Sequence, residues 1–434
     1  MFRFQHDWFE CFSLDSDSFF CAWNEEKSPS LGDERHFSIS YKSKEFIADS
    51  KDIVLNHSDI DTLQINILLK DSSKLSSTLI PPIFDFPVKH RIESACIHKN
   101  ATNCLISIEN QLKLLDLPPL PELIEGSQGQ SLKVLPTHHT SEMSFKSISS
   151  SLEEGYCINS VGYFPSNVVG WACCSDMTVR IYDLARKQEA AIIRGHKGSI
   201  TSLSTIDRGR NIVTSSLDGV MRLFDVGTQK TLTNFVPVPK GLDRAITDAC
   251  VLSPTNPLFL EGSEADIVSD DGIERGTLNK GIACVCGGEL HLFDIRKRAS
   301  IKSIERSIHS TDGSPSPFSC VHWADQTLVT GDNDGVVQCW DIRNMVAPIT
   351  SKRIMRGVIM DMFDCGADLG LTTSLGQVCI LPHIEEVSRP SELSKWKVTE
   401  RSYCPGADCE PIICSATGRV VLSISPDRLY VSII

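Results

Sequence analysis

Five times along this chain one order of positions returns: an acidic or glycine turn, then apolar, polar, apolar, large apolar, and a closing Asp. Glu109 leads to Leu112-Lys113-Leu114-Leu115-Asp116, and Asp176 to Val179-Arg180-Ile181-Tyr182-Asp183. Asp218-Gly219 leads to Met221-Arg222-Leu223-Phe224-Asp225, Gly287-Gly288 to Leu290-His291-Leu292-Phe293-Asp294, and Asp334-Gly335 to Val337-Gln338-Cys339-Trp340-Asp341. The turn residue always stands seven positions before the closing Asp. A fixed register of this kind predicts a repeat architecture.

Each copy extends backwards into further strands. In the clearest unit, Ile200, Leu203 and Ile206 mark a first strand, Asp207-Arg208-Gly209-Arg210 a turn, and Asn211 to Ser216 a second strand. Leu217-Asp218-Gly219 then turns into a third strand that ends at Asp225. Seven units follow this outline, at roughly 90–116, 156–183, 195–225, 246–294, 318–341, 354–381 and 408–434. Small sheets with apolar residues on both faces must bury themselves against neighbours, which predicts radial closure into an all-β, seven-bladed propeller over 76–434. An open ring would leave two unpaired edges. The missing outer strand of the last blade is expected from Thr78-Leu79-Ile80-Pro81-Pro82-Ile83-Phe84, because proline is tolerated on an edge strand.

Three segments stand outside the repeats. Residues 1–75 read as a small α/β extension, with a short helix at Asp7 to Phe12 and a strand where Leu63, Ile65 and Ile67 alternate. Residues 117–151 read as a Ser/Pro-rich surface loop. Residues 255–279 read as an acidic excursion inside the fourth blade, carrying Glu261, Glu264, Asp266, Asp270, Asp271 and Glu274.

The net charge of −13 argues against nucleic acid as a partner and permits a basic protein. No apolar run is long enough to span a membrane, and the N-terminus lacks a secretory h-region. The 17 cysteines, without a C-x-x-C, read as reduced and buried. No nucleotide loop, nucleophile elbow or zincin motif is present, so neither an enzyme nor a cofactor is expected. His138-His139 has no ligand partner at metal-binding spacing. Positions that would face a central channel look small or apolar. His196 is expected to bond Ser215 or Ser216 and Asp218 in a structural network, with Asp225, Asp334, Trp340 and Asp341 in similar roles.

At Gly195-His196, Asp218-Gly219 and Trp340-Asp341 the chain resembles the WD-repeat propellers over roughly 90–434. Three further stretches are similar to the proteasomal ATPase-associated factor family. They are Gly195-His196-Lys197-Gly198 with Ile206 to Val213, Gly406-Ala407-Asp408-Cys409-Glu410-Pro411, and His6-Asp7-Trp8 with Cys21-Ala22-Trp23. The chain departs from that family in its two insertions and in Leu217, where a base is usual. The resemblance implies an assembly chaperone that binds the C-terminal domains of proteasome base ATPase subunits, in cytoplasm and nucleus, and is monomeric when free. Asp408, Glu410, Asp243 and Arg244 are expected on the binding rim. Asp207, Arg208 and Arg210 are expected on the opposite rim. The rival reading is a scaffold or substrate receptor of a ubiquitin ligase or another complex.

Overall fold

The computed structural model describes residues 2–5, 8–9, 18–23, 35–42, 45–51, 53–57, 63–68, 74–118, 145–238, 245–253, 273, 277–296, 300–305, 307–308, 315–324, 326–355, 357–382, 400–405, 410, 412–426 and 428–434. Among them the repeats form seven antiparallel blades, numbered one to seven here. Their inner strands are Ser94–Ile97, Ile158–Tyr163, Ile200–Ile206, Ile246–Leu252, Phe318–Ala324, Ile359–Cys365 and Ile413–Thr417. Each inner strand packs against the next, and the seventh packs against the first, so the ring is closed.

The core lies between blades rather than within them. Trp171 and Cys173 of blade two, for example, pack with Ile200, Ile212 and Phe224 of blade three. This is why the strands are apolar on both faces: each face meets a neighbouring sheet. The turns obey local chemistry. Gly335 has φ of 77°, and a Cβ there would sit 1.9 Å from the Met355 carbonyl oxygen. Only glycine fits that position.

One irregularity repeats. In blades two to six the pairing of inner and second strands slips by one residue at the same place: Ile158/Ser160, Ile200/Ser202, Ile246/Asp248, Phe318/Cys320 and Ile359/Asp361. The slip is a β-bulge, which turns the extra residue out of the ladder. Four of the bulged residues are polar, and each bonds the next inner strand. Asn159 Nδ2 donates to the Ile200 carbonyl at 2.7 Å, and Thr201 Oγ1 to that of Ile246 at 3.0 Å. Thr247 Oγ1 reaches the Ser319 carbonyl at 3.5 Å, and Ser319 Oγ donates to Ile359 at 2.6 Å. In blade six the bulged residue is Met360, which has no polar group to offer.

Closure follows the expected principle with a different segment. Phe84–Pro87 is the outer strand of blade seven, antiparallel to Arg428–Ile433. Arg428 clasps it by donating from Nε to Asp85 Oδ1 at 2.7 Å, and a second guanidinium nitrogen bonds Asp85 Oδ2. Thr78 and Leu79 belong instead to Lys74–Leu79, which pairs in parallel with Glu400–Cys404, the outer strand of blade six. Pro81 and Pro82 fall between the two strands, where neither must donate to a ladder.

The amino-terminal residues are bound into this edge. Ile53–His57, Leu63–Leu68 and Lys74–Leu79 continue blade six into a seven-stranded sheet. A second sheet, from Phe2–Phe4 to Glu45–Ala48, packs its Phe19, Cys21, Phe37 and Ile39 with Leu63, Ile65 and Ile67. The expected α/β extension is therefore a β-sandwich among the described residues. Trp8 and Phe9 lie in a 3-10 turn rather than an α-helix, and the rest of 7–12 lies outside those residues. Both rings are buried, and Phe9 meets Tyr430 of blade seven edge-on at 5.4 Å.

The two insertions also resolve further. Phe145–Ser147, inside the segment read as a loop, is the outer strand of blade one. The stretch after it is tied to blade two: buried Arg180 bonds Ser151 Oγ, Glu189 and Asp176 at 2.6, 2.6 and 2.8 Å. His138 and His139 lie outside the described residues. The acidic excursion leaves blade four between its first two strands and returns through a 3-10 turn at Thr277–Asn279. The carboxylates that defined it also lie outside the described residues.

Candidate functional site

The motif residues build turns and blade networks. In blade three His196 Nδ1 lies 3.0 Å from Asp218 Oδ2, and its Nε2 lies 2.7 Å from Thr214 Oγ1. The hydroxyl in this network is Thr214, where Ser215 or Ser216 was expected. Ser215 instead meets Ser202 and Thr201 at 2.6 and 2.8 Å, because alternation turns it to the other face. Burial alone would raise the Asp218 carboxyl. The bonds from His196 and from the N–H groups of Lys197 and Val220 outweigh it and hold the pKa at about 2.

Blade five carries the other half of the same arrangement. Trp340 Nε1 donates to Thr330 Oγ1 at 2.9 Å, and Phe318 meets the indole edge-on at 6.3 Å. The carboxylate that holds its turn is Asp332, which accepts the N–H groups of Asp334 and Val336 at 2.9 Å. The Asp334 carbonyl accepts Arg353 Nε at 3.0 Å. The closing aspartates share one role. Asp183, Asp225, Asp294 and Asp341 each accept a backbone N–H two or three residues on, from Arg186, Gly227, Arg296 and Arg343, at 2.9–3.0 Å. They are side-chain-capped turns. On that rim Asp207 also pairs with Lys280 at 2.9 Å, and Arg210 with Asp225 at 3.8 Å.

The opposite rim carries the lead-in loops and the turns between second and third strands. There the inner strands surround an axial funnel of about 1250 Å³. Its wall is asymmetric. On blades two and three it presents Asn159, Ser160, Thr201 and Ser202. On blades four and six it presents Asp248 and Asp361, directly after the bulged residue, at the positions that match Ser160 and Ser202. The expectation of small or apolar channel residues is overturned here.

These acids are electrostatically strained. Asp361 is open to the funnel yet walled in by protein, and this enclosure, with the Asp248 carboxylate second, raises its pKa to about 7. Asp248 is raised by burial, against the pull of N–H bonds from Val321 at 2.9 Å and Ala249 at 2.8 Å. Burial would lower the pKa of His322; its bond to Asp364, at 2.8 Å, outweighs that and raises it.

Of the expected rim residues, Glu410 lines the funnel and is exposed. Asp408, Asp243 and Arg244 lie outside the described residues. Exposed Leu217 stands on the same rim. Among the described residues no group of three metal-binding side chains converges. Burial keeps the Cys174 and Cys379 thiols unreactive, pushing both up to about 12. No helix among the described residues is long and apolar enough to cross a membrane.

Comparison with known proteins agrees with this geometry. The family "WD domain, G-beta repeat" matches residues 187–225, which hold the outer strand of blade two and most of blade three. The chain carries a WD repeat. Over 174 residues it is 24% identical to mitochondrial division protein 1 of Eremothecium gossypii, covering 39% of this chain and 23% of that protein. Over 190 residues it is 26% identical to the peroxisomal targeting signal 2 receptor of Schizosaccharomyces pombe, covering 42% and 49%. It is also 26% identical over 161 residues to WD repeat-containing protein 37 of Mus musculus, covering 37% and 26%. The matches thus span less than half the length of these relatives. The crystal structure of Chaetomium thermophilum Raptor superposes with a TM-score of 0.57 at 13% identity, over 81% of this chain and 29% of that one. The shared fold is the β-propeller; WD-repeat propellers are in general non-enzymatic interaction scaffolds, and this chain carries such a repeat at 187–225.

Proposed function

We propose that the propeller is an assembly chaperone of the proteasome regulatory particle that captures the C-terminal domains of base ATPase subunits on the funnel rim. The observation that carries this reading is the placement of acid: Glu410 at the mouth, with Asp248 and Asp361 inside, on the rim where the loops lie. A negative concavity steers a basic helical domain and orients it, with on-rate gains that fade as salt rises. The choice of partner rests on the three stretches similar to the proteasomal ATPase-associated factor family. The relatives reported above are not proteasome factors, and a ligase or other scaffold is the competing outcome.

Affinity purification with mass spectrometry at low and high salt decides between them. Free base ATPases without the proteolytic core are expected, with recovery falling as salt rises. Cullin or adaptor subunits alone would overturn the reading. Asp408→Lys combined with Glu410→Lys should cut ATPase recovery and leave the melting temperature unchanged.

A further inference from the structure

Blade six departs from the other blades at the funnel wall. Asp361 keeps one carboxylate oxygen on the Met362 N–H at 2.8 Å and faces the funnel. Thr372, paired with it across the two strands, is buried, lines the funnel, and has a hydroxyl without a hydrogen-bond partner among the described residues. In blade three the corresponding pair is Ser202 and Ser215, and their hydroxyls close at 2.6 Å. Blade six thus leaves an open carboxylate beside an unused hydroxyl. Asp248 supplies a second carboxylate from blade four, near enough to act on Asp361. Leaving a buried hydroxyl unpaired costs about 1–3 kcal/mol, so its retention beside an open carboxylate calls for a ligand.

We propose that this wall takes the cationic head of one lysine or arginine side chain presented by a partner protein, with Asp361 as ion-pair acceptor, Asp248 as second carboxylate and Thr372 as the positioning hydroxyl. The proposal rests on the reading that a partner docks on this rim. The wall fits a long-stemmed cation. Met360, Val358 and Phe318 line the same funnel and offer apolar surface to the methylene stem. A calcium ion takes about six to eight oxygen ligands, and the described residues bring no group of three metal-binding side chains together. A side-chain ammonium or guanidinium is carried by its own chain and needs fewer acceptors. Two carboxylates confined together gain most from a charge of opposite sign.

The site is expected to be pH-dependent. Among the described residues, the charged and titratable groups around Asp361 are Asp248 on blade four, Cys320 and His322 on blade five, Asp364 on its own strand, and Cys414 on blade seven; Glu410 and the paired Arg91 and Glu93 line the same funnel. Binding needs ionised Asp361, whose pKa is raised to about 7. Between pH 8 and pH 6 its ionised fraction falls about tenfold.

The test is a fluorescence-anisotropy titration of the full chain with labelled Ala-Gly-Arg-Gly-Ala, its lysine counterpart, and the uncharged citrulline counterpart. The cationic peptides should bind at least tenfold tighter than citrulline and weaken about tenfold from pH 8 to pH 6. Asp361→Asn should reduce them to the citrulline level, and Thr372→Val should weaken them about threefold. Equal binding of citrulline, or native-like binding by Asp361→Asn, would overturn the site. Asp248→Asn provides a second reading should Asp361→Asn fail to fold. Calcium or magnesium binding at Asp361 without peptide binding would also overturn it. Loss of peptide binding in Asp361→Asn while ATPase recovery fails in the unaltered protein would keep the site and remove the ATPase as partner.

Discussion

Blade three and blade six follow the same outline, but hold it by different means. Blade three carries its own brace: buried His196 bonds both Asp218 and buried Thr214, and Ser202 closes on Ser215. Blade six has no His or closing Asp at those places, and its Asp361–Thr372 pair stays open. It is braced from outside, by Lys74–Leu79 laid along its outer strand and by the amino-terminal sandwich fused to the same core. A blade that stabilises itself spends its polar groups on geometry. A blade supported by its neighbours can leave polar groups available for a ligand.

The largest test of this contrast removes the outside support. Deleting residues 74–87 takes away the outer strand of blade seven and the strand added to blade six, exposing two sheet edges. Size-exclusion chromatography should show aggregate in place of a soluble monomer; a soluble, fully folded truncation would mean the ring closes without this segment. Next in size is His196→Ala, which strips a buried network and should cost about 2–3 kcal/mol by denaturant melting. A loss under 0.5 kcal/mol would mean blade three does not depend on its brace.

Acid should act on the two blades in opposite directions. Asp218 has a folded pKa depressed to about 2, so its stabilising contribution is present above about 4 and is lost as pH falls toward 2. Asp361 has a folded pKa raised to about 7, so its contribution is full below about 4 and is lost as pH rises through 7. Asp361→Asn should therefore raise the unfolding free energy at pH 8 by about 1 kcal/mol, after allowing for screening by funnel water, and do nothing at pH 4, as read by denaturant melting. Asp218→Asn should destabilise at pH 8 and lose that effect near pH 2. Identical pH curves for the two variants would erase the distinction. The smallest effect is the most discriminating. Thr214→Val should cost about 1–2 kcal/mol because it orphans His196 Nε2, whereas Thr372→Val should be neutral or slightly stabilising. Equal losses would show that Thr372 is structurally satisfied.

The blades were legible because their signals are local. A turn residue seven positions before an Asp reports one hairpin and the capped turn after it, and both depend on neighbours in sequence. The register of the closing strand was not legible. Val431 pairs with Phe84, a choice set by which apolar residues reach the neighbouring blade, and Pro81-Pro82 looked like part of a strand when it is the joint between two. The choice of Thr214 over Ser215 was missed because both are small hydroxyl residues and only strand alternation separates them. The funnel acids were missed although a signal existed. Ile158-Asn159-Ser160, Ile200-Thr201-Ser202, Ile246-Thr247-Asp248 and Ile359-Met360-Asp361 stand in one register, and the acid replaces serine in two of the four. The amino-terminal sandwich carried no repeat, so nothing internal could calibrate its reading.

Met360 leaves the joint between blades six and seven without the side-chain stitch that ties blades two through six in series. The same two blades are spanned on the outside by Ile80 to Ile83, with the Ile80 N–H on Tyr403 and the Ile83 N–H on Val431. This short span works as a buckle over the seam. A protease cut at Pro81-Pro82 would leave both strands paired but unlinked, and the ring would then be expected to open at that seam first.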